Sequence, residues 1–238
     1  MNAIVTVVIG EAEKWFRHTG PYMAEYAANI GAALRVINES PYANIHPGWA
    51  RWEIGNAFND YDRVIHIDAD AYVFPDCPSL FDLVPEECVG MYAHNHYVKH
   101  QEFVREVKAC ADVFGIYYGW LPDIYLNAGI MVLSRHHRKL FEESTQRLEE
   151  IHKAIAEKGA QWMDQTLLNY KIANLGYPIH QLDYRFNHRN EDTPSWGHDR
   201  FDSYIMHYDK QLIVIDAPRI SKEADRRRRE MDVQRRRL

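Results

Sequence analysis

The sequence predicts an α/β domain built around a largely parallel sheet. Short β-rich runs alternate along the chain with segments of helical periodicity, which is the pattern of strand-helix-strand units. The 238 residues, of which 46% are hydrophobic and 26% are charged, suffice for one sizeable core. Neither an internal repeat nor a Pro- or Ser-rich linker interrupts the chain. We therefore expect one domain over residues 1–218, followed by a basic, helical tail over residues 219–238.

The chain begins with an apolar run that predicts a strand over residues 4–9, after which Gly10 opens a polar loop. We expect the first helix to start at Thr19, a residue suited to a helix cap, with Pro21 in its first turn. This helix should pack one face on the sheet, because side chains suited to a core recur at helical spacing at Tyr22, Tyr26, Ile30 and Leu34.

The clearest buried strand spans residues 64–67, which are apolar apart from His66 and end at Asp68. A long amphipathic helix is expected from Phe141 onward, and Gly159, which suits the left-handed conformation after a helix, marks its end. The other predicted elements are a helix over residues 103–114, a strand over residues 130–133, a helix over residues 162–174 that stops at Gly176, and a strand over residues 204–207.

The formal net charge of -6 is the sum of two unlike parts. Residues 219–238 carry nine Lys/Arg against four Asp/Glu, a net charge of +5, so residues 1–218 carry -11. An acidic body is unsuited to binding nucleic acid over a broad surface, and we expect no nucleic-acid partner.

The cysteine content and the apolar runs indicate the compartment. The three cysteines include no C-x-x-C pair, which is typical of a reducing compartment rather than of a disulfide framework. The N-terminal apolar run lacks a charged flank and a cleavage signal, and no stretch approaches the roughly 20 apolar residues that span a bilayer. We therefore expect a cytoplasmic protein.

Two acidic residues stand where the clearest buried strand ends. Asp68 and Asp70 lie two positions apart, and the two-residue period of a strand would direct both carboxylates to the same side. Two acids held together repel each other, so such a pair calls for a cation, and all-oxygen ligands favour Mg²⁺ or Mn²⁺. A turn with two solvated aspartates fits the spacing alone equally well, because D-x-D triplets are common.

With these residues in view, the chain resembles the GT-A glycosyltransferases, most closely family 8, the group that contains glycogenin and bacterial lipopolysaccharide galactosyltransferases. The resemblance covers roughly residues 3–210 as an ordered series of motifs: Ala3-Ile-Val-Thr-Val-Val-Ile9, Asp68-Ala-Asp70, Leu126-Asn-Ala-Gly-Ile-Met-Val-Leu133, Asp164-Gln165, Leu182-Asp-Tyr-Arg-Phe-Asn187 and Ile205-Met-His-Tyr208. It implies a single Rossmann-like GT-A domain with a mixed, mainly parallel sheet. The implied activity is transfer of a sugar, with retention of configuration, from a nucleotide-diphosphate donor such as a UDP-hexose to a carbohydrate or glycoconjugate.

The resemblance implies a metal centre that holds Mn²⁺ or Mg²⁺. Its ligands would be both aspartates of the triplet, Asp68 and Asp70, and a histidine near the end of the domain, which corresponds to His207. Three protein ligands would leave about three of the six octahedral positions for donor oxygens or water. The ion would act as a Lewis acid on the pyrophosphate. Taken alone, His207 is more simply interpreted as a packed histidine in a strand.

The resemblance also implies contacts to the donor sugar. Arg51 corresponds to a basic residue near the sugar and phosphates, although it also fits an ordinary surface charge. The amide of Asn127 would hydrogen-bond sugar hydroxyls, and the small residues Ala128 and Gly129 would permit close approach of the backbone. We expect these three residues to precede the strand over residues 130–133, where an ordinary turn is the alternative interpretation.

Four further donor-binding positions follow from the resemblance. Val7 and Ile9 would meet the base largely through their main chain, because Gly10 and Glu11 replace the polar residues that the family often carries there. Ala69 lies between the two aspartates. Lys210 would reach a phosphate, but its register differs from that of the family, whose Lys-Pro-Trp sequence is missing from this chain.

Asp164 and Gln165 are the predicted catalytic pair. Both fall in the first turn of a predicted helix, where Asp164 would also complement the helix dipole without any catalytic role. The resemblance implies that the pair contacts the transferred sugar as part of the donor site. Asp164 would hold sugar hydroxyls, and Gln165 would lie near the anomeric carbon and stabilise the developing oxocarbenium charge.

An aromatic stretch and the tail are the candidate contacts to the acceptor. Residues 92–125 mix aromatic and polar side chains able to bind a sugar; these are Tyr92, His94, His96, Tyr97, His100, Phe114, Tyr117, Tyr118, Trp120 and Tyr125. We interpret His94 and His96 as polar loop residues rather than a metal site. The basic tail would contact anionic lipid at the inner face of a membrane if the acceptor is a lipid-linked glycan, and a solvated or subunit-contacting helix fits equally well.

Two other functions stay open. A strand that ends in Asp-x-Asp also opens the dehalogenase-type metal-dependent phosphohydrolases, but Tyr72 stands where that resemblance calls for Thr or Val, and a strand-helix-strand unit comes first. A non-catalytic protein that binds nucleotides or carbohydrates on the same fold is the other alternative.

Overall fold

The computed structural model describes residues 1–93, 100–114, 124–189, 199–208 and 212–236. A six-stranded sheet lies at its centre, in the spatial order β2-β1-β3-β6-β5-β7. The strands are β1 (Asn2–Val7), β2 (Ala33–Ile37), β3 (Arg63–Ile67), β5 (Val89–Ala93), β6 (Leu126–Ser134) and β7 (Ile179–Leu182). Strand β6 is antiparallel to both its neighbours, and the other three pairs are parallel. The predicted α/β fold with a mixed, mainly parallel sheet is confirmed.

A second sheet of three strands adjoins the first. It consists of β4 (Ala71–Val73), β8 (His188–Arg189) and β9 (Ile205–His207), in the order β4-β9-β8. Strand β9 runs antiparallel to β4, with His207 opposite Ala71, and parallel to β8. Only residues 68–70 separate β3 from β4. The Asp-Ala-Asp triplet is therefore the turn that joins the two sheets.

Helices cover both faces of the large sheet. They are α1 (Ala12–Asn29), α2 (Ile54–Ala57), α3 (Leu80–Leu83), α4 (His100–Phe114), α5 (Thr145–Ala156), α6 (Met163–Asn174) and α7 (Leu212–Arg235). Successive residues of β1 point to opposite faces, so Ala3 and Val5 pack in a cluster that includes apolar residues of α5 and α6, whereas Ile4 packs with Met23 and Tyr26 of α1. The predicted strands over residues 64–67 and 204–207 and the predicted helices over residues 103–114 and 162–174 are confirmed within a few residues.

The first helix differs from its prediction at both ends. Helix α1 begins at Ala12 rather than Thr19, and Pro21 lies inside it. The helix ends before Gly31, which has a φ of +64°. Leu34 continues the helical spacing by coincidence, because it belongs to β2 and pairs with Ile4 of β1. The prediction that Pro21 lies in the first turn of the helix was wrong, because packing on the sheet stabilises a helix that continues past this proline.

Strand β6 is longer than predicted, and the helix expected from Phe141 begins later. Asn127, Ala128 and Gly129 lie in the strand instead of before it, next to an irregularity in its pairing with β5. Phe141 ends a 3₁₀ helix, and α5 starts only after Ser144, whose Oγ accepts the N–H of Arg147 at 3.1 Å. The predicted end at Gly159 holds, because that residue has a φ of +72°.

The basic tail is part of a helix that starts before it. Helix α7 begins at Leu212, so the predicted boundary at residue 218 lies within the helix. Ile213, Ile220 and Ala224 are fully buried against aromatic residues of the second sheet and its surroundings, including Tyr208. Helix α7 is thus packed on the rest of the chain through its apolar face.

Candidate functional site

The turn between the two sheets presents the aspartate pair. Backbone bonds fix it, since the Asp68 N–H donates to the Gly129 carbonyl at 2.8 Å and the Ala71 N–H donates to the Asp68 carbonyl at 3.0 Å. Thr19, which was predicted to cap a helix, instead donates its hydroxyl from within α1 to the Ala69 carbonyl at 2.6 Å. The turn is therefore held by strand β6 on one side and by α1 on the other.

Asp68, Asp70 and His207 converge beside this turn. Among the described residues, these three offer ligand atoms that all lie within 4.8 Å of one another. Nε2 of His207 lies 3.3 Å from Oδ1 of Asp70 and 3.7 Å from Oδ2 of Asp68. Burial lowers the pKa of His207, but the adjacent Asp70 and Asp68 carboxylates outweigh that effect, so the pKa is raised. Two carboxylates and one imidazole form a donor set suited to a hard divalent cation.

The imidazole of His207 is held from behind. Its Nδ1 lies 2.8 Å from Oδ1 of the buried Asn187, and Nδ2 of Asn187 donates to Oδ1 of Asn127 at 2.8 Å. Gly129 allows the ring to sit close to β6, because a Cβ there would lie only 2.3 Å from the His207 Cε1 atom. These contacts direct Nε2 of His207 towards the two aspartates.

Arg51 links the aspartate turn to the first turn of α6. Its guanidinium donates to Asp68 at 2.9 and 3.2 Å and to the Asp164 carboxylate on the other side. His66, the polar residue of the buried strand, lies under this pair, with Nδ1 3.1 Å from the Val5 carbonyl and Nε2 2.9 Å from Oδ1 of Asp68. A cation and a histidine thus bind the same carboxylate that belongs to the candidate metal group.

The electrostatics of this cluster keep Asp68 ionised. Burial by itself would raise the pKa of Asp68, but the charge of Arg51 and the contacts with His66 and His207 hold the pKa far below its ordinary value. Burial lowers the pKa of His66 despite the neighbouring carboxylate. Asp68 is therefore a carboxylate at any physiological pH and is available to a cation.

Amide side chains form another part of the site. Oδ1 of Asn127 accepts the N–H of Gly129 at 2.9 Å, and Oε1 of Gln165 accepts the N–H of Ala128 at 3.0 Å. Gln165 therefore ties the first turn of α6 to strand β6. Asp164 and Gln165 lie next to each other in that turn, as predicted from the sequence.

These residues surround one cavity of about 310 Å³. Seven predicted site residues line it, namely Arg51, Asp68, Asp70, Asn127, Asp164, Gln165 and His207. The lining does not include the predicted residues Val7, Ile9, Ala69 and Ala128. Val7 lies at the same sheet edge as Asp68, because Val5 pairs with His66 two positions earlier in each strand. Lys210 lies outside the described residues.

Other residues of the cavity were not predicted as site residues. These are Gly48, Gln161, Trp162, Arg189 and Tyr208, with Gly129 also in the wall. Arg189 is the residue of β8 that pairs with His207, so strand pairing brings a second cation to the cavity. The sequence signal for Arg189 was its position two residues after the motif that ends at Asn187. For Tyr208 it was its position directly after His207 in the last motif.

The structure describes little of the aromatic stretch proposed for the acceptor. His94, His96, Tyr97, Tyr117, Tyr118 and Trp120 lie outside the described residues. Tyr92 and Tyr125 are buried, and the Tyr125 hydroxyl lies 2.7 Å from the Thr166 hydroxyl. Phe114 stacks on Tyr170 with ring centroids 5.7 Å apart. Tyr92 and Tyr125 are therefore core residues rather than an open sugar-binding face.

Arginines of α7 engage acidic residues of the chain. Arg227, 5% exposed, binds Asp76 at 2.8 Å, and Arg228 binds Glu25 at 2.8 Å. Arg226 binds Glu223 and Glu230 within its own helix. Among the helices of the described ranges, none combines the length and the apolar character needed to cross a bilayer.

Comparison of sequences finds neither a matching family profile nor a matching curated protein. Comparison of structures does find similar proteins. The galactosyltransferase LgtC in complex with donor and acceptor sugar analogs has a TM-score of 0.56 and 15% identity, over 94% of this chain and 95% of that one. An active-site mutant of LgtC has a TM-score of 0.60 and 14% identity, with 94% and 95% coverage.

A third similar structure is a glycosyltransferase involved in the glycosylation of the major capsid of PBCV-1. It has a TM-score of 0.57 and 12% identity, over 93% of this chain and 98% of that one. At such identities, the likeness concerns the fold. It confirms that this chain has the GT-A fold and resembles GT-A glycosyltransferases of the family 8 type, as the motifs predicted.

Proposed function

We propose that this protein is a metal-dependent glycosyltransferase. It would move a sugar from a nucleotide-diphosphate donor, a UDP-hexose, to a carbohydrate or glycoconjugate acceptor with retention of configuration. The observation that carries the proposal is the convergence of Asp68, Asp70 and His207 in the same cavity as the linked pair Arg51 and Asp164. A fold shared with glycosyltransferases supports this activity but does not by itself establish it.

The residues present fit a divalent cation. Asp68 and Asp70 would supply carboxylate oxygens and His207 would supply Nε2, and the low pKa of Asp68 keeps that ligand charged. Mn²⁺ suits this mixed oxygen and imidazole set, with Mg²⁺ as the alternative. When bound, the ion would neutralise charge on the diphosphate as the sugar departs.

Arg51 and Asp164 would bind and orient the sugar and phosphates of the donor. The guanidinium of Arg51 already binds both Asp68 and Asp164, which orients the two carboxylates before any ligand is bound. Asp164 would accept hydrogen bonds from sugar hydroxyls. Asn127 would donate from its amide to a hydroxyl or phosphate oxygen.

Gln165 would lie beside the anomeric carbon. Its oxygen accepts the N–H of Ala128, so the side chain is already oriented against β6. A carbonyl oxygen held at that place would stabilise positive charge that develops on the sugar ring. Retention of configuration is proposed from the resemblance. It would follow either from attack of a side chain on the anomeric carbon or from approach of the acceptor on the face that the nucleotide leaves.

Residues beyond the cavity complete the proposed donor site. The main chain around Val7 and Ile9 would meet the base, at the sheet edge that also carries Asp68. Ala69 and Ala128 would allow the donor to approach the backbone, and Lys210 would reach a phosphate. The acceptor is proposed to be a free or lipid-linked glycan. Contact of α7 with anionic lipid stays a prediction, and the ion pairs of its arginines leave fewer free charges for it.

The two alternative functions receive less support. The similar solved structures named above are glycosyltransferases, which disfavours a dehalogenase-type phosphohydrolase. A non-catalytic binding protein with the same cavity would bind the donor without cleaving it. Turnover therefore separates that alternative from a transferase.

Calorimetry with UDP tests the proposal. We expect UDP to bind in the presence of Mn²⁺ and to bind much more weakly after chelation, because a cation held by Asp68, Asp70 and His207 would neutralise charge on the diphosphate. Asp70→Asn should lose this dependence on Mn²⁺. Asp60→Asn, which removes a carboxylate from an exposed ion pair with Arg35, is the matched control and should behave like the parent. Equal binding of UDP by Asp70→Asn and the parent would refute the metal assignment.

A screen of UDP-sugars for hydrolysis then tests catalysis. Release of free sugar from one donor by the parent would support transferase chemistry. We expect Asp164→Asn and Gln165→Ala to slow it strongly, whereas unchanged rates in both variants would refute their catalytic assignment.

A further inference from the structure

A chain of hydrogen bonds runs from the backbone of β6 to the histidine of the candidate metal group. It consists of Gly129 N–H, the amide of Asn127, the amide of Asn187 and the imidazole of His207, with successive distances of 2.9, 2.8 and 2.8 Å. Asn187 is completely buried, so its amide has no alternative partner in solvent. Asn187 ends the motif Leu182-Asp-Tyr-Arg-Phe-Asn187, and the resemblance implies no role for it.

The direction of every hydrogen bond from Gly129 to His207 follows from the Gly129 N–H at the start of the series. The N–H of Gly129 can only donate, so Asn127 must turn its oxygen towards it. The amide of Asn187 must then present Nδ2 to that same oxygen, which directs Oδ1 of Asn187 to His207. An amide oxygen only accepts, and Nδ1 of His207 must therefore carry the proton. In the neutral imidazole, Nε2 is then the atom with a lone pair, and it lies 3.3 Å from Oδ1 of Asp70.

The donor and acceptor roles in this hydrogen-bond chain also determine which atom of Asn127 stays available to a ligand. Both hydrogen bonds that Asn127 makes among the described residues use its oxygen. Its Nδ2 donor group is left over in a residue that lines the cavity. Through its two hydrogen bonds, the buried amide of Asn187 thus leaves Nε2 of His207 to face the aspartates and Nδ2 of Asn127 as a donor for the cavity.

We propose that Asn187 is a positioning residue that holds His207 as the Nδ1–H tautomer and turns the amide donor of Asn127 into the cavity. This inference rests on the proposed function for the identity of the ligands, a divalent cation and a nucleotide-linked sugar. Groups that orient a metal-binding histidine through its other nitrogen set its tautomer and its basicity. Asn187 does this here and also links the metal side of the cavity to the sugar side.

Three variants separate the two roles. Asn187→Leu removes both hydrogen bonds, whereas Asn187→Asp keeps an oxygen for Nδ1–H of His207 and loses the donor to Asn127. Asn169→Leu is the matched control, because Asn169 is also a buried amide and binds the backbone of Leu126 without touching His207. Each variant is titrated with Mn²⁺ and compared for binding of UDP and of a UDP-sugar.

We expect Asn187→Leu to bind Mn²⁺ about 10- to 100-fold more weakly, the range for loss of a group that orients a metal ligand. Asn187→Asp should recover most of this affinity but lose the preference for UDP-sugar over UDP. Asn169→Leu should keep the parent affinity for Mn²⁺. Parent-like Mn²⁺ binding by Asn187→Leu, or a loss in Asn187→Asp as large as in Asn187→Leu, would overturn the proposal.

The tautomer is measured without any metal. In metal-free protein at a pH where His207 is neutral, ¹⁵N spectra of the imidazole should show Nδ1–H in the parent and in Asn187→Asp, and a change in Asn187→Leu. An unchanged pattern in Asn187→Leu would overturn the inference. If the parent fails to bind Mn²⁺, the proposed function fails, and these spectra still decide whether Asn187 positions His207.

Discussion

Gly129→Ala is expected to disable the metal site while leaving the fold intact. A Cβ at this position would lie 2.3 Å from Cε1 and 2.7 Å from Nδ1 of His207, whereas ordinary contacts of a Cβ begin at 3.4 Å. The ring must therefore move by about 1 Å, and disturbing the contacts that orient a metal-binding histidine costs about 10- to 100-fold in metal affinity. Strain of this kind costs about 1–3 kcal/mol in stability. We expect Mn²⁺ affinity to fall by about 10- to 100-fold.

The control is a glycine in the same sheet that is also crowded but does not line the cavity. A Cβ at Gly90 would lie 2.7 Å from a methyl group of Val84 and 3.0 Å from Val132. Gly90→Ala should therefore lose a similar free energy of unfolding in urea and keep its affinity for Mn²⁺. Both variants are measured by urea unfolding and by Mn²⁺ titration. The reasoning is refuted if folded Gly129→Ala binds Mn²⁺ like the parent, or if Gly90→Ala loses the same affinity.

Three further predictions concern residues outside the metal group. Burial lowers the pKa of His137 to about 4, so between about pH 6.5 and pH 4 the unfolded chain binds a proton at this residue and the folded chain does not. Urea unfolding should therefore show a loss of roughly 2 kcal/mol of stability as the pH falls from about 6.5 to about 4. His137→Gln should lose less stability over the same pH range. Arg227→Met should cost about 3 kcal/mol of unfolding free energy because it removes the partner of Asp76 and of the Ser203 and Phe201 carbonyls, whereas Arg226→Met, which removes only exposed ion pairs, should cost far less. Glu106 accepts the two N–H groups just before α6 at 2.8 and 3.0 Å, so Glu106→Gln should slow sugar turnover about tenfold, or about 1.4 kcal/mol, without changing Mn²⁺ affinity; an unchanged rate would contradict this.

The parts of the fold that local patterns predict are those with one dominant signal. The strand before Asp68 is a short run that is apolar apart from His66 and buried on both faces, and the turn residues that flank it predict a strand. Gly159 marks a helix end because the backbone there is left-handed. By contrast, the start of α1 was missed because Pro21 and Thr19 both obey rules for helix starts, while the packing that extends the helix through them is not visible in a short window.

The candidate site divides in the same way. The placement of Asp68, Asp70, Asp164 and His207 around one cavity was predictable from the ordered series of motifs, although each motif alone is weak. Asn127 and Gly129 were expected to precede a strand, yet both lie in β6, where Asn127 pairs with Tyr92 of β5. Arg189 and Asn187 could not be assigned a role, since their positions depend on the pairing of β8 with β9, which brings together residues distant in the sequence.

The turn that joins the two sheets has a consequence for how the protein opens. Two ligands of the candidate metal group lie in this turn and the third lies on β9, which meets β4 over only three residue pairs. The Tyr208 N–H extends the contact between β9 and the turn by donating to the Asp70 carbonyl at 3.0 Å. Any local unfolding that detaches β9 would therefore separate the ligands. A bound cation should in turn slow hydrogen exchange at Tyr208, which would make that amide a reporter of occupancy.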